Sequence, residues 1–463
     1  KLHAIVFSPP YQGHINPIVN LALKLASKGI TTTFVNFRHV HHHQTHAAAA
    51  ADDHDPFSRA RASGLDVRYA TMSDGFPLEF DRRLRLDEYL TRLYLHELPA
   101  RADELVGRIA AEFGAPWINF LVADTAFFPV VDVARKFGIV AVSFWPQPAL
   151  VFSLMYHLEL LKANPHFPFK DEAEEEITFI PGISSINTKD LMQNLKESGA
   201  RGVIPDIVSK AFEEVKKADF VLHNTVEEVE PEILAALNRR QPNYAVGPVN
   251  FFEQSPTISP VSKSLLPEID CTDWLKSKPP GRVLYVSFGS FVDGSTELVV
   301  EIAHGLLLSG VHFVWSLRPG FVRDDGDADP FSGELNERGL VIPWCNQIKV
   351  LSDPAVGGFL THNGWNSTVE SVWCGVPMIC YPVYFDQLPN RKLVVEEWKV
   401  GLNLSDGKSV DRMQVAEKIR TLFSSSNAEA SSIRRRASQL KNTFRDAVGG
   451  SSERNFNRFV QDL

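Results

Sequence analysis

The chain is predicted to be an α/β protein of two domains, each built on a parallel sheet, and three observations carry that expectation. Short apolar, β-branched runs alternate with amphipathic segments of helical period. The alternation is interrupted once, by a Pro- and Ser-rich stretch over 249–270, and then starts again. At 463 residues the chain also exceeds what one ordinary core organises. Two Rossmann-like domains that face each other across a cleft are the architecture expected, over 1–248 and 271–451, with 249–270 as the linker.

The first βαβ unit is legible residue by residue. Ala4 to Ser8 is a buried strand stopped by Pro9-Pro10, and Tyr11-Gln-Gly-His14 is a loop. Asn16-Pro17 then opens a helix with Ile18, Leu21, Ala22, Leu25 and Ala26 on one face; Gly29 ends it, and Thr31 to Phe37 is the second strand. His14 therefore falls at the carboxyl end of a strand, where open α/β sheets place ligands, and beside a helix N-terminus whose dipole disfavours imidazolium. Alone it reads more readily as a loop histidine that caps the helix, and a partner would change that reading. The apolar strand Trp117 to Ala123 ends directly at Asp124, which has the same topological position. A carboxylate that accepts from one imidazole nitrogen fixes the tautomer and supports the cation formed at the other, so the two together would make a base. Asp124 also reads as the N-cap of the helix over 130–137.

Between these elements, His39, His41, His42, His43 and His46 precede the run Ala47 to Ala51. No strand or helix period gathers the imidazoles on one face, so 39–55 is expected to be an exposed loop rather than a metal site. Acidic residues over 171–176 mark another surface loop. Helices are expected at 203–215 and 228–237, a strand at Phe220 to Asn224, and Tyr244 to Pro248 closes the first domain.

The second half repeats the pattern. Val283 to Phe288 is a strand, Gly289-Ser290 a turn, 297–308 a helix and His312 to Leu317 a strand; 320–334 is expected to be a surface loop. Val356 to Thr361 then leads through the turn His362-Asn-Gly364 to a helix opening near Asn366-Ser367. Backbone N–H groups at a helix start, with Gly364 allowing close approach and His362, Asn366 and Ser367 adding donors, suit a phosphate. Ser367 and Glu370 equally fit a capping box.

Composition bounds the partners. A net charge of −9 argues against a nucleic-acid or anionic-membrane surface, and no run of eighteen apolar residues suggests a membrane span. Cys271, Cys345, Cys374 and Cys380 lack metal-ligand spacing, which fits a reduced, cytoplasmic protein. The chain opens on Lys1 rather than Met, so a preceding residue or segment is expected.

The 44 residues from Trp344 to Gln387, which begin Trp-x-x-Gln and end Asp-Gln, resemble the signature box of plant uridine-diphosphate-sugar glycosyltransferases. The resemblance runs through most of the chain and implies the GT-B architecture. It implies that Trp344 stacks on uracil, that the backbone of Cys345 reads the base edge, and that Gln347 and Glu370 bind ribose. Gly289, Ser290, His362, Gly364, Asn366 and Ser367 would hold the diphosphate, and Trp365, Asp386 and Gln387 would face the sugar. The Gly-His of the first loop implies that His14 is the base and Asp124 its support. Trp145-Pro146 departs from the family's more usual Trp-Thr, so Gln147 or water must supply the missing sugar contact. Asn363 stands where a Cys is more usual, a change expected to matter little. The last helix, over 452–463, would return to the first domain.

The implied reaction is inverting transfer of a sugar, glucose foremost, from a UDP-sugar to a hydroxyl of a small hydrophobic plant metabolite, without metal or other cofactor, by a monomer. Phe128, Trp145, Gln147, Met192 and Tyr384 are candidates for the acceptor pocket, and each fits a core role as well. The competing reading is a nucleotide-sugar-binding protein with little or no transfer. A dinucleotide-dependent dehydrogenase would share the fold, but no G-x-G-x-x-G follows the first strand.

Overall fold

A computed structural model describes residues 2–46, 57–113, 118–199, 201–252, 268–289, 294–318, 338–405 and 409–463. Most of the expected linker, the 320–334 loop, the alanine run, Trp117 and Ser290 lie outside these residues. The chain divides into two compact units, Lys1–Leu265 with Ala447–Leu463, and Leu266–Asp446.

The first unit holds strands β1 (His3–Phe7), β2 (Thr31–Phe37), β3 (Val67–Met72), β4 (Phe120–Asp124) and β5 (Val140–Trp145). A small antiparallel hairpin, β6 (Glu176–Ile177) with β7 (Ile186–Asn187), precedes β8 (Phe220–His223) and β9 (Asn243–Ala245). Seven of these strands form one parallel sheet in the order β3-β2-β1-β4-β5-β8-β9. Every residue of β1, β2 and β4 is buried, as expected of a sheet covered on both faces. The winding leaves β1 in opposite directions, toward β2 on one side and β4 on the other, so the carboxyl ends of β1 and β4 flank a topological switch point.

The second unit repeats the design with β10 (Val283–Ser287), β11 (His312–Ser316), β12 (Gly339–Ile342), β13 (Val356–Thr361), β14 (Met378–Cys380) and β15 (Gly401–Asn403). Their order, β12-β11-β10-β13-β14-β15, puts a second switch point at the ends of β10 and β13. Leu284, Val286, Trp315 and Leu360 of the sheet pack with Ile302, Leu306 and Ile419 of the flanking helices in one core.

Three expectations are corrected here. The first helix spans Gln12–Ser27 with Tyr11 as its N-cap, so Asn16-Pro17 lies inside it and His14 occupies its first turn instead of a preceding loop. The chain turns as soon as Pro10 is passed: the Tyr11 carbonyl accepts from the N–H groups of His14 (2.9 Å) and Ile15 (2.8 Å). The histidine run is not a loop over its first part, because Arg38–His46 continues β2 as a helix. His39 is buried there, with Nδ1 3.0 Å from Asp74 Oδ2, and Asp74 also accepts from Arg82 Nε at 2.7 Å. Nothing near His39 in sequence announces partners at 74 and 82. Lastly, no capping box forms at Ser367: the N-cap of helix Trp365–Cys374 is Gly364, which places Ser367 and Glu370 inside the helix.

The C-terminal helix Ser451–Asp462 belongs to the first unit. Phe456 and Phe459 are fully buried, and Phe459 meets Phe120, Phe220 and Tyr244 at ring separations of 5.8 to 6.1 Å. Asn455 donates to the Ala245 carbonyl at 3.1 Å, along the edge strand β9. Lys24 lies 4.7 Å over the Phe456 ring, and its loss of hydration brings its pKa down to about 8. Truncating Phe459 removes a filled core site, so Phe459→Ala should cost about 3–5 kcal/mol in a denaturant titration. A change below about 0.5 kcal/mol would show that the helix does not hold the sheet edge.

His223, at the end of β8, is fully buried, with Nε2 2.7 Å from Asn243 Oδ1 and its ring 4.7 Å from that of Phe152. Burial lowers its pKa to about 4, with the Asn243 bond opposing. The unfolded state, titrating near 6.5, then binds the extra proton first. Stability is complete above about pH 6.5 and falls by up to about 1.4 kcal/mol per pH unit on the way to pH 4. In His223→Gln this part of the acid slope should be absent from pH-dependent denaturation; an unaltered slope would rule the residue out as its source.

Candidate active and donor-binding sites

In the first unit β1 and β4 are hydrogen-bonded neighbours in parallel register, Phe7 opposite Ala123. The chain beyond β1 turns into the Gln12–Ser27 helix, and the chain beyond β4 reaches Asp124, so two residues 110 positions apart meet at one switch point. His14 Nδ1 is 2.7 Å from Asp124 Oδ2. The Asp124 side chain is fully buried, whereas that of His14 is 23% exposed, so a partner could reach the imidazole but not the carboxylate. Asp124 Oδ1 accepts from Ala126 N at 2.8 Å, which caps the short turn Thr125–Phe127. Cap and imidazole support are therefore one carboxylate used twice. The Tyr11 ring stands edge-on to His14 with centroids 6.1 Å apart.

The segment after β5 is tightly held. Trp145 Nε1 donates to the Pro148 carbonyl at 2.9 Å, and its buried ring meets Phe152 and Phe212 edge-on. Glu230, itself buried, accepts from the N–H groups of Ala149 (2.9 Å) and Leu150 (2.7 Å) at the start of helix Ala149–Tyr156. Burial raises the Glu230 pKa, and the bonds from Thr225, Leu150 and Ala149 oppose the rise. Of the acceptor candidates, Phe128 is buried and stacks on Tyr94 at 5.8 Å, Met192 is buried, Gln147 is half-buried and Tyr384, in the other unit, is 48% exposed.

In the second unit the turn after β13 sits against the end of β10. His362 is buried, and its ring is flanked by two glycines. A Cβ on Gly289 would lie 2.7 Å from His362 Nε2, and one on Gly364 would lie 2.6 Å from the same atom. Gly289 has φ +73°, so both space and backbone demand glycine there. Burial lowers the His362 pKa to about 4, so the imidazole is neutral at physiological pH. Asn363 has φ 63° and is completely buried. Asn is among the few residues that adopt this left-handed conformation readily, which explains its tolerance where a Cys is more usual.

Gln347 Nε2 donates to Glu370 Oε2 at 2.6 Å and to Ser367 Oγ at 3.0 Å. The two residues expected to cap the helix thus gather a side chain from the helix Gln347–Leu351 instead. Desolvation raises the Glu370 pKa to about 7, with Gln347 opposing. Trp344 is half-buried and Cys345 buried. The Trp365 indole is buried beside Trp398, with ring centroids 6.1 Å apart, so of this residue the backbone at the helix start is what lies at the turn. Gln387 Oε1 accepts from the N–H groups of Val383 (2.7 Å) and Tyr384 (2.9 Å), which commits its carbonyl to shaping the loop.

One residue here was missed by sequence reasoning. Asn390, fully buried, donates to the Asn363 carbonyl at 2.8 Å and to Asp386 Oδ2 at 2.7 Å, and so ties the turn to the 383–387 loop. No short spacing announces a bond across 27 positions.

Known proteins are similar to this chain over its whole length. The sequence pattern of the family described as UDP-glucoronosyl and UDP-glucosyl transferase matches residues 268–419. The UDP-glycosyltransferase 86A1 of Arabidopsis thaliana is 47% identical over all of this chain and 94% of its own length. The 7-deoxyloganetin glucosyltransferase of Gardenia jasminoides is 32% identical over all of this chain and 98% of its own. Among solved structures, Os79 from O. sativa in complex with UDP superposes with a TM-score of 0.81 at 25% identity, over 99% of each chain. With its paired parallel sheets of GT-B type and these full-length relatives, the chain belongs to the plant family 1 UDP-glycosyltransferases, enzymes that transfer sugar from a UDP-sugar to small plant metabolites.

Proposed function

We propose that the enzyme is an inverting glucosyltransferase that moves glucose from UDP-glucose to a hydroxyl of a small hydrophobic acceptor, with His14 as the base. The observation that carries the reading is the 2.7 Å contact between His14 Nδ1 and the buried Asp124 carboxylate. An imidazole so held presents Nε2 to the acceptor hydroxyl, and Asp124 supports the cation as the proton is taken. The acceptor oxygen attacks the anomeric carbon opposite the diphosphate, so an α-linked donor yields a β-glycoside.

Donor roles fall to the second unit. Trp344 stacks on uracil beside the Cys345 backbone, and Gln347 and Glu370 take the ribose hydroxyls. The charge that builds on the leaving diphosphate meets neutral His362 and the first-turn amides around Gly364, Asn366 and Ser367. Asp386 and the Gln387 amide group meet the sugar. The glucosyl donor is supported by the name of the Gardenia relative, and the UDP site by the Os79 complex. We also infer a monomeric, cytoplasmic enzyme.

Removing the base should lower kcat by about 10²–10⁴ in His14→Ala while UDP binding stays within a few-fold, and Asp124→Asn should lower kcat by a smaller factor. Wild-type turnover in His14→Ala would refute the assignment, and loss of UDP binding would move His14 to a structural role.

Glu370 gives the donor step a pH signature. Above about pH 7 its carboxylate accepts from ribose hydroxyls; as pH falls through that value it protonates and loses acceptor capacity. The KM for UDP-glucose should therefore rise below about pH 7, and Glu370→Gln should show a raised, pH-independent KM over the same range. Retention of the break in that variant would place the titration elsewhere.

A further inference from the structure

Two phenols near the His14–Asp124 pair are not used by the donor chemistry. Tyr11 is the N-cap of the helix that bears His14, and its ring is edge-on to the imidazole. Tyr94 comes from a distant part of the first unit, on the π-helical turn Leu93–Glu97 that joins the helices Leu86–Arg92 and Leu98–Phe113. Single π turns inside helices are frequent at functional sites, since the extra residue aims a side chain off the regular face.

The Tyr94 ring is only 4% exposed. It stacks on Phe128 at 5.8 Å and meets Phe127 edge-on at 5.8 Å, the two aromatics that follow the Asp124 cap. Tyr94 is close enough to Tyr11 and Asp124 to interact electrostatically with both. Burial holds both phenols well above their ordinary range, so each keeps its proton at any physiological pH. Among the described residues neither hydroxyl has a hydrogen-bond partner, and neither is fully enclosed by the protein. A phenol O–H that opens onto accessible space without a protein partner is available to donate to a ligand oxygen.

Resting on the glucosyltransferase reading, we propose that Tyr11 and Tyr94 form a hydrogen-bonding subsite beside His14 that positions aromatic acceptors carrying a second oxygen next to the hydroxyl to be glycosylated. The aromatic walls of Tyr94, Phe127 and Phe128 match a flat ring, and the two O–H groups donate to a neighbouring hydroxyl or carbonyl oxygen. The residues position the acceptor, and proton removal stays with His14.

The test compares wild type, Tyr11→Phe and Tyr94→Phe on matched acceptors that differ by one oxygen, 2-naphthol and 2,3-dihydroxynaphthalene, at saturating UDP-glucose. Each variant should raise the KM for the dihydroxy acceptor about tenfold, the loss of one well-placed hydrogen bond. The KM for 2-naphthol, the kcat at saturation, the KM for UDP-glucose and the melting temperature should remain within about twofold or 2 °C of wild type. Equal changes for both acceptors, or no change in either variant, would overturn the proposal. If wild type binds and slowly hydrolyses UDP-glucose but glycosylates neither naphthol, the acceptor class is wrong. Failure to bind UDP-glucose at all would instead overturn the functional reading on which the subsite rests. Should Tyr94→Phe melt early, Tyr11→Phe, at the half-buried helix cap, decides the same question.

Discussion

Parallel pairing of β1 with β4 is the constraint on which the chemistry of the first unit depends. It brings the chain ends after Phe7 and Ala123 side by side, and only then can His14 and Asp124, far apart in sequence, share a proton. The second unit uses the same device, with β10 against β13 delivering Gly289 to the face of His362. In both cases sheet register sets a distance that no local propensity could set, and at His362 burial keeps the imidazole neutral.

The parts of this arrangement that were legible in the sequence are those carried by short-range signals. Val283 to Phe288 and Val356 to Thr361 were readable as strands because a continuous apolar run between turn residues has few other solutions. The box from Trp344 to Gln387 was readable because its residue types are uncommon together. What escaped was decided by contacts across tens of residues: Asn390 under the turn, Glu230 at the start of helix Ala149–Tyr156, and Asp74 with Arg82 around His39. A histidine flanked by histidines reads as solvated until a buried carboxylate is placed against it. The misassigned capping box has a related cause, since Ser-x-x-Glu matches the motif locally, while the helix begins two residues earlier at Trp365.

Several groups here serve two purposes, which explains why local and functional readings were hard to separate. Asp124 caps a turn and orients an imidazole with different oxygens. Ser367 and Glu370 lie on a helix whose amides face the turn, and together they hold Gln347. Such sharing keeps polar side chains satisfied before any ligand arrives and so preserves their geometry.

The Asn390 bridge carries a consequence for how sugar preference can change. One amide nitrogen grips both the backbone of the turn after β13 and the carboxylate of Asp386. With Asp386 in its proposed place at the sugar, a substitution that re-aims it would slacken the anchor of Asn363 at the same moment. On the donor roles proposed above, sugar and diphosphate are not independent modules, and a lineage that alters one is expected to carry a compensating change in the other.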